Sequence, residues 1–476
     1  MTDTPTADER ITDPRPTAAA GGDALFTDLY ELSMLQAYFA EGMDREAVFS
    51  LYVRTLPARR NYLIACGLES VLEQLENLRF SAADIAYLEG LDIFTADFLD
   101  WLRDFRFTGS VRAVAEGTPM FGEEPILEVT APLPEAQLVE TLVMNQIHLQ
   151  TVLASKARRV VDAADGRSVL DFGARRMHGL DAAVQGARAF HIAGVAGTSN
   201  VRAGARYGIP VAGTMAHSYV QAHADETEAF AAFLRVFPDT VLLVDTYDTL
   251  AAVDRIIALA RERDGDIGLR AVRLDSGDLV ALSRAVRRRL DDAGLQRVQI
   301  LASGGLEEDG IAQLIADGAA LDGFGVGTAM AVSEDAPSLD LVYKLCAYGG
   351  EGRMKLSTGK AVLPGPKQVF RSGDADGDHR DVIARADETL PGRPLLETVM
   401  RDGHRVRPAP ALADIRSHVA TQLARLPATL RAPQPAETPY PVAVSEALDA
   451  YRAAVSGTIT GAAGVEGRTL PQGGPS

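Results

Sequence analysis

The sequence predicts an α/β fold: an irregular (β/α) barrel, an N-terminal α+β domain containing an antiparallel β meander, and a C-terminal segment packing on that domain. Beyond about residue 166, short apolar runs alternate with helical patterns, as in parallel strands joined by right-handed crossovers. Residues 107–130 contain short alternating runs broken by glycine and proline, which indicates the meander. No G-x-G-x-x-G motif opens the first βα unit, so we favour a barrel over an open doubly wound sheet.

The chain divides into five predicted segments. Its two ends are rich in proline, glycine, serine, threonine and alanine, which is typical of disordered tails. We expect a disordered tail at 1–22, the N-terminal α+β domain at 23–165, the barrel at 166–335, a C-terminal segment returning to the N-terminal domain at 336–455, and a second disordered tail at 456–476.

Apolar periodicity places the elements of the N-terminal domain. It predicts a helix over 25–40, and residues 48–66 fit strand, turn and strand. Residues 134–164 begin with proline and acidic residues, which are common at helix starts, so a long helix is expected there. Further helices are expected at 67–78, 82–90 and 95–104.

The barrel strands are predicted from short apolar runs, at 168–172, 189–193, 210–214, 241–245, 270–275, 298–302 and 321–326. Helical patterns separate several of them, at 249–263, 279–293 and 308–317. Because the active sites of such barrels lie at the carboxyl ends of the strands, the residues that follow each strand are the candidates for a site.

Composition excludes several classes of protein. The 47 Lys and Arg against 65 Asp and Glu give a formal net charge of −18. Non-specific binding to nucleic acid or to an anionic membrane needs a positive surface, so we expect neither partner. The two cysteines cannot form a disulfide framework or a four-cysteine zinc site. The first 22 residues lack the apolar region of a signal peptide, and we expect a cytoplasmic protein.

His217 follows an apolar run that ends in Gly213-Thr214, and Ser218 places a hydroxyl beside it. A histidine at a strand end can act as a base or accept a phosphoryl group, but it can also be structural. Asp245, at the next predicted strand end, could orient the imidazole ring as carboxylates do for catalytic histidines.

Two arginine motifs indicate an anionic ligand. Arg273 and Asp275 are two apart and so share one face of a strand, with Ser276 beside them. Asp275 suits sugar hydroxyls or Mg²⁺ and Arg273 suits an acid group, the alternative being a structural ion pair. Arg175-Arg176 after another strand suits a phosphate or a carboxylate, the alternative being a solvated or structural pair.

Two glycine-rich turns follow the last predicted strands. One turn contains Gly325, Gly327 and Thr328, and the turn after the preceding strand contains Gly304 and Gly305. Such turns offer bare backbone N–H groups to a phosphate, as late loops of barrel enzymes often do. The alternative is that the glycines only permit tight turns.

Taken together and in order, these motifs resemble the nicotinate phosphoribosyltransferase family, the ATP-coupled type II phosphoribosyltransferases. The motifs that carry the resemblance are LFTDLYELSM, EGTPMFGEEPILEV, DFGARRMHG, GTMAHSY, LVDTYD, VRLDSGDL, ASGG, FGVGT and KLSTGKAVLPGPKQVFR. The resemblance implies that nicotinate and phosphoribosyl pyrophosphate form nicotinate mononucleotide and pyrophosphate, with Mg²⁺ as cofactor and with ATP hydrolysed alongside.

The resemblance also implies roles. His217, transiently phosphorylated by ATP, would act with Asp245 and Asp275 in catalysis. Asp28, Tyr30, Arg175, Ser218, Arg273 and Ser276 would bind substrate, and Gly304, Gly305, Gly325, Gly327 and Thr328 would bind phosphate. Asp28 and Tyr30 match a segment that reaches a partner subunit, so a homodimer with shared sites is expected.

The sequence departs from the family pattern in two places. Several relatives have Asn-Asp where this chain has Gly304-Gly305, and the segment after Arg371 carries no motif that we match.

A nicotinamide-specific transferase is the nearest alternative function, although an arginine-rich site favours the nicotinate carboxylate. Quinolinate phosphoribosyltransferase shares the barrel but needs no phosphorylated histidine. A non-catalytic phosphosugar-binding protein on the same fold is the alternative from another class.

Overall fold

A computed structural model of the chain describes residues 23–262, 267–357, 362–374 and 377–466, with side chains described as far as residue 461. The predicted tail at 1–22 and the last ten residues lie outside the described residues. Within these ranges, no helix has the length and apolar character that crossing a membrane requires.

The N-terminal part contains six helices and five strands within the described residues. They are α1 Leu29–Glu41, β1 Glu46–Val53, β2 Leu63–Ile64, α2 Leu68–Asn77, α3 Ala82–Gly90, α4 Ala96–Arg103, β3 Ser110–Ala113, β4 Pro119–Met120, β5 Pro125–Pro132, α5 Leu133–Leu138 and α6 Glu140–Ala163. Helices α2 to α4 lie where the periodicity predicts them. The predicted helix at 134–164 is interrupted at Val139, which separates α5 from α6.

The middle part alternates strands and helices. Its elements are β6 Ser168–Asp171, the 3₁₀ turn Ala174–Arg176, α7 Leu180–Ala193, β7 Gly197–Thr198, α8 Val201–Tyr207, α9 His217–Gln221, α10 Glu226–Val236, β8 Thr240–Leu243, α11 Thr249–Arg261, β9 Leu269–Leu274, α12 Leu279–Asp292, β10 Gln299–Ala302, α13 Glu308–Ala316, β11 Gly323–Val326 and α14 Thr328–Ala331. The six strands form one parallel sheet in the order β7-β6-β11-β10-β9-β8. This curled half-barrel confirms the predicted fold class.

Two predicted barrel strands are wrong. Residues 189–193 are the last turns of α7, where Phe190 and Ile192 are buried. A short apolar run in a helix buried against its neighbours has the same composition as a buried strand, so periodicity does not separate the two. Of residues 210–214, Val211 makes a single parallel bridge to Thr198, and it is 53% exposed. The described sheet therefore has β7 and β8 at its edges.

The C-terminal part is a mixture of short strands and helices. Its elements are β12 Leu341–Tyr348, β13 Glu351–Gly352, β14 Lys367–Asp374, β15 Gly377–Arg385, β16 Arg393–Pro394, β17 Glu397–Arg401, β18 His404–Arg405, α15 Leu412–Ala424, α16 Ala428–Arg431, β19 Val442–Val444 and α17 Glu446–Glu466. The second tail was expected from about residue 456, but α17 continues to Glu466. The Ser445 hydroxyl accepts a hydrogen bond from the Leu448 backbone N–H (3.1 Å) at the start of α17, and Leu448 is fully buried.

The C-terminal strands complete the N-terminal sheet. β12 runs antiparallel beside β1 and β17 runs antiparallel beside β3, which gives the seven-stranded order β13-β12-β1-β5-β3-β17-β18. The predicted meander is present only in part, because β3 pairs with β5 whereas β4 pairs with β2. Strands β14, β15, β16 and β19 form a separate four-stranded sheet.

A buried ion network joins α6 to the half-barrel. Lys156 is fully buried, and its Nζ lies 2.6 Å from Glu308 Oε2 and 2.8 Å from Asp335 Oδ1. Arg60 pairs with Asp335 (Nη1 to Oδ2, 2.6 Å) and Arg159 pairs with Glu308 (Nε to Oε1, 2.9 Å). Burial alone would raise the pKa of Glu308, but the two cations hold it below its usual value. Both carboxylates are therefore charged and depend on these cations.

Replacing Lys156 with methionine keeps the side-chain length but leaves the two carboxylates without their shared cation. We expect Lys156→Met to lower the free energy of unfolding by about 3–5 kcal/mol, because Glu308 and Asp335 each lose one of their two buried cationic partners. A urea unfolding series measures the loss. Arg59→Ala is the control, since it breaks an exposed pair with Asp309 (Nη2 to Oδ2, 2.6 Å; side chains 38% and 51% exposed). The control should lose less than about 1 kcal/mol, and equal losses would contradict the role of the network.

Candidate active site

A pocket of about 390 Å³ lies at the carboxyl ends of the parallel strands. Its walls come from the residues after β6 and β7, from the end of β9 and from the segment that leads into α9. They are Phe172, Ala174, Arg175, Ser199, Gly213, Thr214, Met215, Ala216, His217, Arg273 and Asp275. Four of the predicted site residues, Arg175, His217, Arg273 and Asp275, therefore share one pocket.

His217 is the first residue of α9, and its ring is half-buried. Its Nδ1 lies 3.1 Å from the Thr246 hydroxyl oxygen, within hydrogen-bond distance. The sequence predicted that Asp245 would orient this ring, and that prediction is wrong in the described structure. Both residues lie in the irregular segment after β8, where the next residue, Thr246, supplies the group that contacts the ring.

Asp245 instead supports the loop that follows β9. Its Oδ2 accepts hydrogen bonds from the Asp275 backbone N–H (3.1 Å) and from the Ser276 hydroxyl (2.5 Å). The Ser303 hydroxyl donates to Asp275 Oδ1. Among the described residues, Asp245 Oδ1 is buried without a hydrogen-bond partner. Asp245 and Ser276 thus hold the loop of Asp275 without lining the pocket, whereas Asp275 is one of its wall residues.

Arg273 provides a partly buried cation in the pocket wall. Its Nη2 donates to the Met215 carbonyl oxygen (3.1 Å), and its guanidinium carbon lies 5.8 Å from the centre of the Phe172 ring. Burial and the nearby Arg175 lower the pKa of Arg273, although Asp275 and Asp245 act in the opposite direction. Its Nε is buried without a hydrogen-bond partner among the described residues. An anion in the pocket would compensate this charge.

Arg175 lies in the 3₁₀ turn after β6 and is exposed. No described residue forms an ion pair with it, so its guanidinium is available to a ligand at the rim of the pocket. Ser218 is exposed beside His217 and does not line the pocket.

The glycine turns do not line the pocket themselves, but two of their glycines pack against residues that do. At Gly304, with φ +87°, a Cβ atom would lie 2.0 Å from the Asp275 carbonyl oxygen, and at Gly325 one would lie 2.4 Å from the Phe172 ring. Close backbone approach therefore explains these two glycines. Gly305 (φ +61°) has open space around it, a Cβ at Gly327 would lie 3.7 Å from the Phe172 carbonyl oxygen, and Thr328 is exposed.

Asp28 and Tyr30 do not line this pocket. Asp28 Oδ2 accepts a hydrogen bond from the Thr141 hydroxyl (2.8 Å) at the start of α6, and Tyr30 is 48% exposed. Beside them, the buried Glu31 accepts hydrogen bonds from Thr27 and Thr141, and burial raises the pKa of its carboxyl to about 7.

Sequence reasoning missed Thr246, Phe172 and Ser199. Thr246 and Phe172 lie inside the motifs LVDTYD and DFGARRMHG, but nothing in those motifs distinguishes them from their charged neighbours as site residues. Ser199 follows a two-residue strand that the periodicity did not predict.

Three family descriptions match consecutive parts of the chain. They are the nicotinate phosphoribosyltransferase N-terminal domain at 25–148, the nicotinate phosphoribosyltransferase family at 168–361 and the nicotinate phosphoribosyltransferase C-terminal domain at 390–452. The chain belongs to the nicotinate phosphoribosyltransferase family. The third match covers the segment in which the sequence offered no recognisable motif.

Named relatives agree with this membership. The chain is 54% identical to nicotinate phosphoribosyltransferase pncB2 of Mycobacterium tuberculosis over 426 residues, which cover 89% of this chain and 92% of the relative. It is 41% identical to the nicotinate phosphoribosyltransferase of Bacillus subtilis over 377 residues, 77% of each chain. The crystal structure of human nicotinic acid phosphoribosyltransferase superimposes with a TM-score of 0.81 at 28% identity, over 90% of this chain and 99% of the human one.

The contact between Gly304 and Asp275 can be tested with a pair of variants. Gly304→Ala and Gly305→Ala both place alanine at a positive φ, which costs about 1–2 kcal/mol, but only Gly304→Ala collides with the Asp275 carbonyl. We expect Gly304→Ala to lose about 100-fold in kcat/KM for nicotinate phosphoribosyl transfer, because small displacements of site residues slow positioned reactions strongly. Gly305→Ala should lose much less. Equal losses in steady-state assays would argue against this contact.

Proposed function

We propose that the chain transfers the phosphoribosyl group of phosphoribosyl pyrophosphate to nicotinate, forming nicotinate mononucleotide and pyrophosphate in NAD biosynthesis. The observation that carries the proposal is a pocket at the strand ends with two guanidinium groups, Arg175 and Arg273, in a chain of net charge −18. Arginine binds carboxylate and phosphate oxygens bidentately, and both substrates are anionic.

In this reaction the nitrogen lone pair of the pyridine ring forms a bond to C1 of the ribose. The bond from C1 to the pyrophosphate oxygen breaks, and its electron pair leaves with pyrophosphate. Arg273 would meet the acid group of a substrate, since its Nε is buried without a partner among the described residues. Asp275 would hold the ribose hydroxyls, because Ser303 and the backbone contact to Asp245 fix its position. Positioning and neutralisation of the leaving group are the protein's contributions.

We assign His217 as the residue that ATP phosphorylates. When Nδ1–H donates to the Thr246 hydroxyl, Nε2 keeps its lone pair. Nε2 then attacks the γ-phosphorus of ATP, and ADP leaves with the bridging oxygen. The phosphoryl group adds nearly two negative charges to the pocket, and water later removes it as phosphate.

The glycine turns would receive the 5′-phosphate. Gly304, Gly325 and Gly327 each border a wall residue of the pocket, while Gly305 and Thr328 extend the same two turns. The 5′-phosphate has no part in bond breaking, so these contacts would act by holding the ribose in place.

Mg²⁺ fits this pocket as an ion shared with the substrate. Among the described residues, no group of three or more histidine, cysteine or acidic side chains converges on a point. Mg²⁺ is often held by one or two carboxylates together with substrate phosphates and water, so this donor set is compatible with it. Asp275 in the pocket wall is the carboxylate that would contribute. When bound, the ion would neutralise charge on pyrophosphate.

A homodimer would bring Asp28 and Tyr30 to the pocket of the other copy. Phe26, Leu29 and Tyr30 around the start of α1 are 42%, 55% and 48% exposed, an apolar surface that a second copy would cover. The ring of Tyr30 would stack on the pyridine. The segment boundaries at 165 and 335 and a cytoplasmic location stay predictions of the sequence.

The test of the proposed function is product formation with nicotinate or nicotinamide, phosphoribosyl pyrophosphate and Mg²⁺, with and without ATP. We expect nicotinate mononucleotide and pyrophosphate, formed faster with ATP. Conversion of nicotinamide alone would indicate a nicotinamide phosphoribosyltransferase. Conversion of neither compound would support a non-catalytic phosphosugar-binding protein.

Removing the imidazole of His217 should abolish the response to ATP. We expect His217→Ala to turn over nicotinate at the rate that the unaltered protein shows without ATP. His223→Ala is the matched control, because His223 bonds through Nδ1 to the Tyr219 carbonyl (2.8 Å) and does not line the pocket. Persistent stimulation of His217→Ala by ATP would reject the assignment.

We expect the hydroxyl of Thr246 to affect the ATP-stimulated rate only through its hydrogen bond to His217. Thr246→Val removes the partner of Nδ1 and should lower the ATP-stimulated rate by about 5–10-fold, the value of one hydrogen bond. Thr246→Ser keeps the hydroxyl and should restore the rate, and the ATP-independent rate should stay the same in both variants. A rate in Thr246→Val equal to that of the unaltered protein would mean that the contact does not orient the ring.

A further inference from the structure

Asp171 is a buried carboxylate at the end of β6 that the reaction above does not use. Its side chain does not line the pocket, and the residue is 2% exposed. Burial raises the pKa of its carboxyl, and no described residue forms an ion pair with it. Such a group is costly to bury unless it is hydrogen-bonded, so its contacts need an explanation.

Each carboxylate oxygen of Asp171 accepts one hydrogen bond from a different strand end. Oδ1 accepts from the Gly173 backbone N–H (2.7 Å), in the turn that follows β6. Oδ2 accepts from the Thr198 hydroxyl (2.7 Å), on β7. The backbone joins the same two ends, since the Ser199 N–H donates to the Asp171 carbonyl (2.8 Å).

The groups that Asp171 holds are next to three residues of the pocket wall. Gly173 lies between Phe172 and the 3₁₀ turn that carries Arg175, and Thr198 precedes Ser199. The turn also packs tightly from the other side, because a Cβ at Gly173 would lie 2.6 Å from the Ala331 Cβ. The turn is thus fixed between α14 and the Asp171 carboxylate.

We propose that Asp171 is a positioning residue for nicotinate, which fixes Phe172 and Arg175 after β6 relative to Ser199 after β7. Residues after both strands line the pocket, and the Asp171 carboxylate accepts hydrogen bonds from both strand ends. The role rests on the proposed function, because that function supplies the ligand that this wall would bind. Loss of the carboxylate would widen the wall and weaken nicotinate binding without touching the leaving group.

Three variants remove these contacts in steps. Asp171→Ala removes both acceptors, and Asp171→Asn keeps one acceptor oxygen while its amide faces the second donor. Thr198→Val removes only the hydroxyl. We expect KM for nicotinate to rise about 100-fold in Asp171→Ala and about 10-fold in Asp171→Asn and Thr198→Val, as unmet buried polar groups cost this much. KM for phosphoribosyl pyrophosphate should change less than about 3-fold, since uniform effects on both substrates indicate general damage.

Two controls separate positioning from stability. Thr198→Ser keeps the hydroxyl and should restore KM for nicotinate. Asp381→Asn alters a fully buried carboxylate of β15 that pairs with Arg371 (Nη2 to Oδ2, 2.5 Å), away from the pocket. It should lower the unfolding temperature without changing either KM. The proposal is overturned if folded Asp171→Ala binds nicotinate like the unaltered protein, or if its changes match those of Asp381→Asn.

Hydrogen exchange tests the coupling of the two strand ends without any substrate. Amides 173–176 and 198–200 should exchange faster in Asp171→Ala than in the unaltered protein, and those of β15 should not. Unchanged exchange at 198–200 would overturn the proposal even in an active enzyme. Faster exchange in a protein that converts no nicotinate would instead reject the proposed function, and with it the ligand assigned to this wall.

Discussion

Lys156 lies between the carboxylates of Glu308 and Asp335, with its side chain wholly removed from solvent. Each carboxylate belongs to the segment behind one glycine turn, because Glu308 follows Gly304-Gly305 and Asp335 follows Gly327-Thr328. A single ammonium group on α6 thereby links the segments after both turns to the N-terminal part. Losing either carboxylate from this network would leave buried cations without enough opposite charge, which is costly.

The pocket also depends on carboxylates that do not line it but hydrogen-bond to the segments that form its walls. Asp245 holds the loop that presents Asp275, and Asp171 joins the ends of β6 and β7. The two arginines of the pocket have fewer partners, and an anionic ligand would supply what they lack. A chain with net charge −18 can therefore offer arginine side chains to an anion in this pocket, because Asp245 and Asp171 are already hydrogen-bonded and do not line it.

Much of the fold followed from periodicity, and its failures have physical reasons. The helices α11, α12 and α13 were predicted because each has one apolar face, whereas α7 is buried on several sides and its last turns resembled a strand. The ordered motifs led to the family and to four wall residues of the pocket. They did not distinguish Asp245 from Thr246, because both follow the end of β8, where no regular strand periodicity predicts the direction of a side chain. Strands β12 and β17 were not placed, since they pair with strands of the N-terminal part some 290 residues away, such as Leu51 with Tyr343.

A crystal structure of the chain with nicotinate and a non-reactive analogue of phosphoribosyl pyrophosphate would show whether the pocket at the strand ends binds both substrates. We expect nicotinate against Arg175 and Phe172, the analogue's pyrophosphate beside Arg273 and Asp275, and its 5′-phosphate at the glycine turns. Ligands bound outside the pocket at the strand ends, or a nicotinate carboxylate without contact to either arginine, would contradict this expectation.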